Sequence, residues 1–468
     1  MEQTVGILSL LPALIAIVLA FATRDALFSL LIGVIVGILV LGENLVTGFS
    51  GIFQEALGTP DFIWVLMIEV FIGIMVAYFQ KSGAIDAFST TIKKYNLKRR
   101  GAQVLAWLLG MFIFFSDYFS PLYVGTVMRD VTDKARVSRE KLAYICDSTS
   151  APVISVIPFS SWAIYIAGIL VGIGPFVDAE IAMDAMMHMV PFNFYGILSV
   201  VMVGLITTGI LPEYGPMKAA EQRAFETGKV IADGANPLLG KELENIKPNE
   251  GIKPSLIVNF LLPAIIIISI TLGTYIAFQS AMILEAFIVA VVFQFISMLI
   301  QRMATITELM EVAAEGIKSV LGAILILSLA YALNSVSGKL GTAQYVISIT
   351  EQWMTPALLL FFAFVVSGFI AFFTGTSWGT YAIMTPMIIP LALNVSNGQI
   401  DTIVYASIAA IMGGGVFGDH CSPLSDTTIL SSLAAGSDHI DHVKTQAPYA
   451  FTVGGISALL YLIVGMMY

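Results

Sequence analysis

The sequence predicts an all-α polytopic membrane protein built as an inverted-topology repeat, and three observations predict it. First, 57% of the 468 residues are hydrophobic and only 12% are charged, with a mean hydropathy of +0.90, a composition outside the soluble range. Apolar segments near the ~20 residues that a bilayer crossing requires recur from residue 5 to the end. Second, the basic residues gather into a few short stretches, which sets sidedness because Lys and Arg in short loops stay cytoplasmic. Third, the order of segments repeats in two halves of opposite orientation.

The first segment, 5–22, follows Glu2 with no Lys or Arg before it and lacks a small-residue cleavage site, so it is expected to be a retained helix rather than a signal. Helices at 26–42 and 62–80 follow. Residues 81–100 carry six bases and one acid, and 129–141 carry five bases and three acids; both stretches therefore belong in the cytoplasm. The 28 apolar residues between them are too few for two crossings, which need about 40. They are expected to enter and leave on one side as a re-entrant hairpin that turns at "SDYFSP", an irregularity tolerated only where backbone is buried in protein or lines a cavity. An interrupted span at 142–174 and a helix at 189–211 complete the half. The loops 43–61 and 175–188 hold three acids each and no Lys or Arg, which suits the outside.

Residues 212–253, with six bases and seven acids, read as a cytoplasmic connector, a linker with room for a regulatory role. It divides a first transmembrane repeat, 1–211, from a second, inverted one, 254–468. The second half runs through helices at 255–278, 280–301 and 316–336, an apolar segment at 355–393 centred on "FFTGTSWGT", an interrupted span at 402–433 and a helix at 449–467. Each half is thus expected to hold about five transmembrane helices plus a re-entrant hairpin and a broken helix, with both termini outside a bacterial inner membrane. Every Lys and Arg falls on the predicted cytoplasmic side except Lys339. By length alone the 355–393 segment could also cross twice. A net charge of −10 argues against a nucleic-acid partner, and Cys146 and Cys421 lie in apolar segments as packing residues rather than a disulfide.

Four polar clusters should converge near the midplane, two from hairpin tips and two from broken spans. They are Ser116, Asp117, Tyr118 and Ser120; Asp147, Ser148, Thr149 and Ser150; Thr374, Thr376 and Ser377; and Asp419, His420, Ser422, Ser425, Asp426 and Thr427. Breaking a helix in a membrane frees carbonyls and amides that can coordinate ions, and an ionised Asp at membrane depth costs at least ~2.5–3.5 kcal/mol, which argues for use. Capping and structural hydrogen bonding are the alternative for each Asp. With carboxylates in all these places but one and no Lys or Arg at membrane depth, the site favours a cation. Hard oxygen ligands suit sodium, with Asp419, Asp426 and Asp147 as its expected carboxylates, and a proton can compete for the same oxygen. His420 is either a pH sensor or a structural histidine. Glu69, inside the 62–80 helix, belongs either to a proton path or to a pairing with a neighbouring helix. His188, His439 and His442 fall in expected loops with no ligand role.

At "GGGVFGDHCSPLSDTT", 413–428, with "CDSTSAP" at 146–152 and "YGPMKAAEQRA" at 214–224, the chain resembles the NhaC family of sodium/proton antiporters. The resemblance implies inverted repeats, paired hairpins and often a homodimer. It places Asp419, Ser422, Pro423, Ser425, Asp426 and Thr427 in the block tied to ion and substrate handling, with Asp147 to Ser150 as its counterpart. Relatives of this type include exchangers of organic solutes such as malate against lactate. Dicarboxylate carriers of the wider superfamily carry Ser, Asn and Thr at both tips; Asp117 here would repel a carboxylate, which ranks such a solute below an amino acid or amine, and either below sodium/proton exchange. No cofactor is expected beyond the transported ions. An intramembrane hydrolase using the Asp residues, His420 or Cys421 lacks a recognised nucleophile motif, so no enzymatic activity is expected.

Overall fold

The computed structural model describes residues 5–467 except residues 24, 85, 86, 88–90, 92–96, 115, 116, 118, 159, 238–245, 250, 279–281 and 351–354. Among the described residues there is no strand beyond one isolated bridge, Pro237 to Asp438. Among the described residues six helices are long and apolar enough to cross a membrane, or up to eight if each of two bent pairs forms one span.

Helix starts follow capping chemistry. Helix α1 (Leu11–Thr23) leads to α2 (Ala26–Val40), whose cap Asp25 accepts a hydrogen bond from the Phe28 amide at 3.0 Å. The expected outer loop 43–61 instead contains α3 (Leu45–Leu57), capped by Asn44. Its acids mark a helix with one wet face rather than an open loop, and Glu55 pairs at 2.7 Å with Lys339, the cation that the sidedness pattern leaves over. Helix α4 (Pro60–Ser82) begins with Thr59 as cap and Pro60 in the first turn, and stops at Gly83 with φ +75.

The first hairpin consists of α5 (Arg99–Phe112) and α6 (Phe119–Lys134), packed on each other. At 1.5 Å per residue neither spans the ~30 Å of hydrocarbon. The following span is broken twice: α7 (Arg139–Ser148), α8 (Ala151–Val156) and α9 (Ser161–Leu170). Pro152 in the first turn of α8 forbids continuation from α7. The expected loop 175–188 folds as α10 (Ala179–Met189) from the cap Asp178, and α11 (Phe194–Thr207) closes the half.

The connector is anchored to the membrane-spanning helices. Its helix α12 (Gly215–Thr227) buries Glu221, which binds Arg99 at 2.7 Å and the Ser138 amide at 2.8 Å, while Arg223 binds Glu140 at 2.8 Å. Then come α13 (Leu262–Phe278), after a π turn at Ile257–Leu261, α14 (Ile283–Ile300) and α15 (Ile306–Lys339). A capping box between Thr305 and Glu308 starts α15 about three turns before the expected 316, and the Thr305 amide and hydroxyl hold the Glu308 carboxyl below its ordinary range. Helix α4 lies on α15 at glycines: a Cβ on Gly73 would meet the Gly316 carbonyl at 2.5 Å. After α16 (Thr342–Thr350), the second hairpin is α17 (Leu359–Thr374) and α18 (Ser377–Val395), parted at Gly375 with φ +72.

The second broken span is α19 (Thr402–Cys421) and α20 (Asp426–Ala435). The last helix, α21 (His439–Met466), starts ten residues before the expected 449 because Asp438 caps it. His439 and His442, expected in a loop, are therefore helical and buried. The halves exchange partners: α20 packs on α6 and α7, whereas α8 packs on α19 and α9 on α18.

Candidate functional site

Asp419 stands in the last turn of α19, where the chain is clamped to the second hairpin. Gly414 and Gly418 lie where a Cβ would strike the carbonyls of Phe364 and Gly368, so α19 and α17 meet backbone to backbone. Pro423 ends the helix, and Ser422 Oγ then donates to the Phe372 carbonyl at 2.7 Å. The break thus seats on the hairpin tip, and Gly375 leaves room for it: a Cβ there would lie 2.6 Å from the Leu424 carbonyl. In this setting Asp419 is fully buried, and its Oδ2 accepts the Ser377 hydroxyl at 2.5 Å. Its Oδ1 has no hydrogen-bond partner among the described residues. Asp426, Asp147 and Asp117 all lie within electrostatic reach of this carboxyl.

Asp147, in the last turn of α7, is as deeply buried but fully engaged. Its Oδ2 accepts Gln446 Nε2 at 2.6 Å and Thr428 Oγ1 at 3.2 Å, and its Oδ1 accepts Ser431 Oγ at 3.3 Å. Thr428 also binds the Asp419 carbonyl at 3.2 Å, so α20 ties the two broken spans together. His442 Nε2 lies 4.0 Å from Asp147 Oδ2. Behind it runs a chain of polar groups: Ser432 Oγ sits 2.8 Å from His442 Nδ1 and 3.1 Å from His439 Nδ1, and His439 Nε2 sits 2.9 Å from the Pro423 carbonyl.

Asp117, at the first hairpin tip, accepts Trp162 Nε1 at 3.1 Å. Trp162 packs edge-on against Trp378 and Tyr381, with ring centroids 5.7 and 5.5 Å apart, and Tyr165 meets Trp378 at 4.7 Å. An aromatic cluster therefore separates the two hairpin tips. Ser116 and Tyr118 lie outside the described residues.

Several hydroxyls expected as ligands are occupied within their own helices. Thr149 donates to the Ile145 carbonyl at 2.7 Å, Ser150 to the Asp147 carbonyl at 2.8 Å and Thr374 to the Ile370 carbonyl at 2.8 Å. Thr376 contributes its carbonyl to the Thr380 hydroxyl at 2.9 Å. Ser425 and Thr427 bind each other at 3.1 Å, and the Thr427 amide donates to Asp426 Oδ1 at 2.7 Å. Ser148 is buried at the end of α7. His420 Nδ1 bonds Tyr195 Oη at 3.1 Å, and its Nε2 has no partner among the described residues. Glu69 is not brought to this cluster: it is buried in α4 among α14 and α15, and neither carboxyl oxygen has a partner among the described residues. Among the described residues no three His, Cys, Asp or Glu side chains stand close enough together to hold a metal ion by themselves. Gln446, Ser431, Ser432, His439, His442, Tyr195 and Trp162 bond to the residues of this candidate site, and sequence reasoning missed them. The signal available was the spacing of His439, His442 and Gln446, which places them on one face once a helix is started at Asp438.

Interrupted membrane helices that meet at buried carboxylates define a polytopic membrane protein of the transporter class. The chain belongs to the Na+/H+ antiporter family, whose model matches residues 176–466. It is 32% identical to an uncharacterised protein of Haemophilus influenzae, over 98% of this chain and 91% of the relative. It is 30% identical to the malate-2H(+)/Na(+)-lactate antiporter of Bacillus subtilis, over 44% of each chain. It is also 32% identical to the arginine/ornithine antiporter ArcD of Halobacterium salinarum, over 34% of this chain and 32% of that one.

Proposed function

We propose that the protein exchanges sodium for protons across a bacterial inner membrane by alternating access between two inverted repeats, with Asp419 as the shared binding group. The observation that carries this reading is the Oδ1 of a fully buried carboxyl, which has no hydrogen-bond partner among the described residues. Leaving such an atom unmatched costs at least ~1–3 kcal/mol, and either a proton or a sodium ion removes that cost. The two are alternative occupants of one oxygen, which is the requirement for exchange. Asp147, already holding three donors, orients the second broken span, and Asp426 and Asp117 add negative potential that favours a cation.

The histidine chain supports proton coupling by donor counting. Gln446 gives its amide hydrogens to Asp147 and to the His420 carbonyl at 3.0 Å, so its Oε1 faces His442 Nε2 at 3.1 Å and that nitrogen must carry hydrogen. The Pro423 carbonyl demands the same of His439 Nε2. Both neutral rings then turn a Nδ1 lone pair toward the single Ser432 hydroxyl proton, and the Ser432 oxygen is also 2.7 Å from the Thr428 carbonyl. One hydrogen serves three acceptors, so an added proton has a place ready.

A second reading, coupled exchange of a small organic solute, is favoured by the aromatic cluster of Trp162, Tyr165, Trp378 and Tyr381 between the tips and by the names of the two partial relatives. Proteoliposomes given sodium pulses with and without amino acids, amines and organic acids separate the readings. Sodium-evoked proton movement without solute supports the first; silence until a solute is added overturns it in favour of the second.

A further inference from the structure

A cavity of about 550 Å³ opens beside the base of the first hairpin, between the start of α5, the end of α11 and the connector helix α12. Its charged lining is Arg99, Arg100, Lys218, Glu213 and Glu221. Both acids are matched: Glu221 by Arg99, Gln103 and the Ser138 amide, Glu213 by Lys141 at 2.8 Å and by the Tyr449 hydroxyl. Arg100 and Lys218 have no hydrogen bond or ion pair to any described residue. The guanidinium of Arg100 lies flat on Gly209, where a Cβ would stand 2.6 Å from Cζ, and Gly209 holds φ +77. The fold thus keeps a bare backbone under an unpaired cation. At the rim, Ile210, Leu211 and Phe225 are exposed, and α11, which leads here, exposes Val201 along its apolar length.

We propose that this cavity binds a phosphate group, supplied by the headgroup of an anionic phospholipid. Arg100 and Lys218 contact the phosphate, and Ile210, Leu211 and Phe225 receive the first carbons of the acyl chains. Charge and hydrocarbon adjoin here as they do in such a lipid, and unpaired cations at a membrane boundary are drawn to anionic headgroups. A bound headgroup touches hairpin and connector together, so it fastens one to the other.

The test uses the full chain in detergent, read by native mass spectrometry and by thermal unfolding. Wild type is compared with the double variant Arg100→Gln, Lys218→Gln and with a charge-matched control, Lys247→Gln, Lys253→Gln. Each is titrated with phosphatidylglycerol, phosphatidylcholine, glycerol phosphate and inorganic phosphate. Two cations at an anionic surface correspond to about a 30-fold change in affinity. The expected result is retention of phosphatidylglycerol by wild type and control, a loss of about that size in the double variant, and a matching loss of thermal protection. Because neither side chain has a partner, the double variant should unfold at the wild-type temperature when lipid is removed. Equal retention of phosphatidylcholine, or equal loss in the control, overturns the proposal. Protection by free phosphates without phosphatidylglycerol overturns the lipid source and leaves the same two cations serving a soluble phosphate.

Discussion

Replacing Gln446 with leucine removes the side chain that holds Asp147, His420 and His442 in one arrangement. Leucine is close in volume, so the loss is chiefly of hydrogen bonds. The bond to Asp147 Oδ2, at 2.6 Å, goes to a carboxylate and is worth ~1.5–3 kcal/mol, and the bond to the His420 carbonyl, at 3.0 Å, adds ~0.5–1.5 kcal/mol. Gln446→Leu should therefore destabilise the protein by about 2–4.5 kcal/mol, measured as equilibrium unfolding in mixed micelles. Pairing it with Asp147→Leu isolates the contact, since both partners are then apolar. The double variant should recover about 1.5–3 kcal/mol relative to the sum of the single variants. Additivity within about 0.5 kcal/mol would mean that Gln446 does not hold Asp147, and the assignment of Asp147 as the orienting carboxylate would fail.

Three further outcomes follow from the geometry. Ser377→Ala removes the donor to Asp419 Oδ2 and should raise the sodium concentration for half-maximal proton flux about ten- to hundredfold, from the ~1.5–3 kcal/mol of such a bond; an unchanged half-saturation contradicts it. Gly37→Ala places a methyl into Val336 Cγ1 and should cost ~1–3 kcal/mol, whereas adding Val336→Ala, which leaves only a Cβ 3.3 Å away, should restore most of that loss in the same unfolding assay. Glu69→Met removes two buried unmatched oxygens and should stabilise the protein by ~1–3 kcal/mol while sodium-driven proton flux persists; loss of flux in a stable variant would place Glu69 in the proton path.

The apolar runs and the placement of the basic residues made most of the helices legible. The two polar interruptions at Asp147 and Asp419 stand where helices break, whereas the early start of α15 at the Thr305 and Glu308 capping box escaped because its first turns are polar. Helices α3 and α10 escaped because acids such as Glu55 and Asp184 read as loop when only their charge is weighed. The start of α21 escaped for a deeper reason. "DHIDHVKTQ" is polar by composition, yet His439, His442 and Gln446 are buried by partners on α7, α19 and α20, which local hydropathy cannot register. The same limit hid which hydroxyls are free. Thr149, Ser150 and Thr374 read like ligands but bond their own backbone, while Ser377, 42 positions from Asp419, is the one that reaches it. Residue types at the site were visible in the sequence, and their pairing was set by tertiary packing.

In the proposed exchange, Asp419 Oδ1, which has no partner among the described residues, takes sodium and proton in turn. Proton flux evoked by sodium pulses in proteoliposomes, compared between wild type and Asp419→Asn, tests it most directly. Asparagine can still accept from Ser377 but offers no carboxylate to a cation, so the variant should insert and fold as wild type and show no sodium-evoked proton movement. Exchange at the wild-type rate in Asp419→Asn would contradict the account.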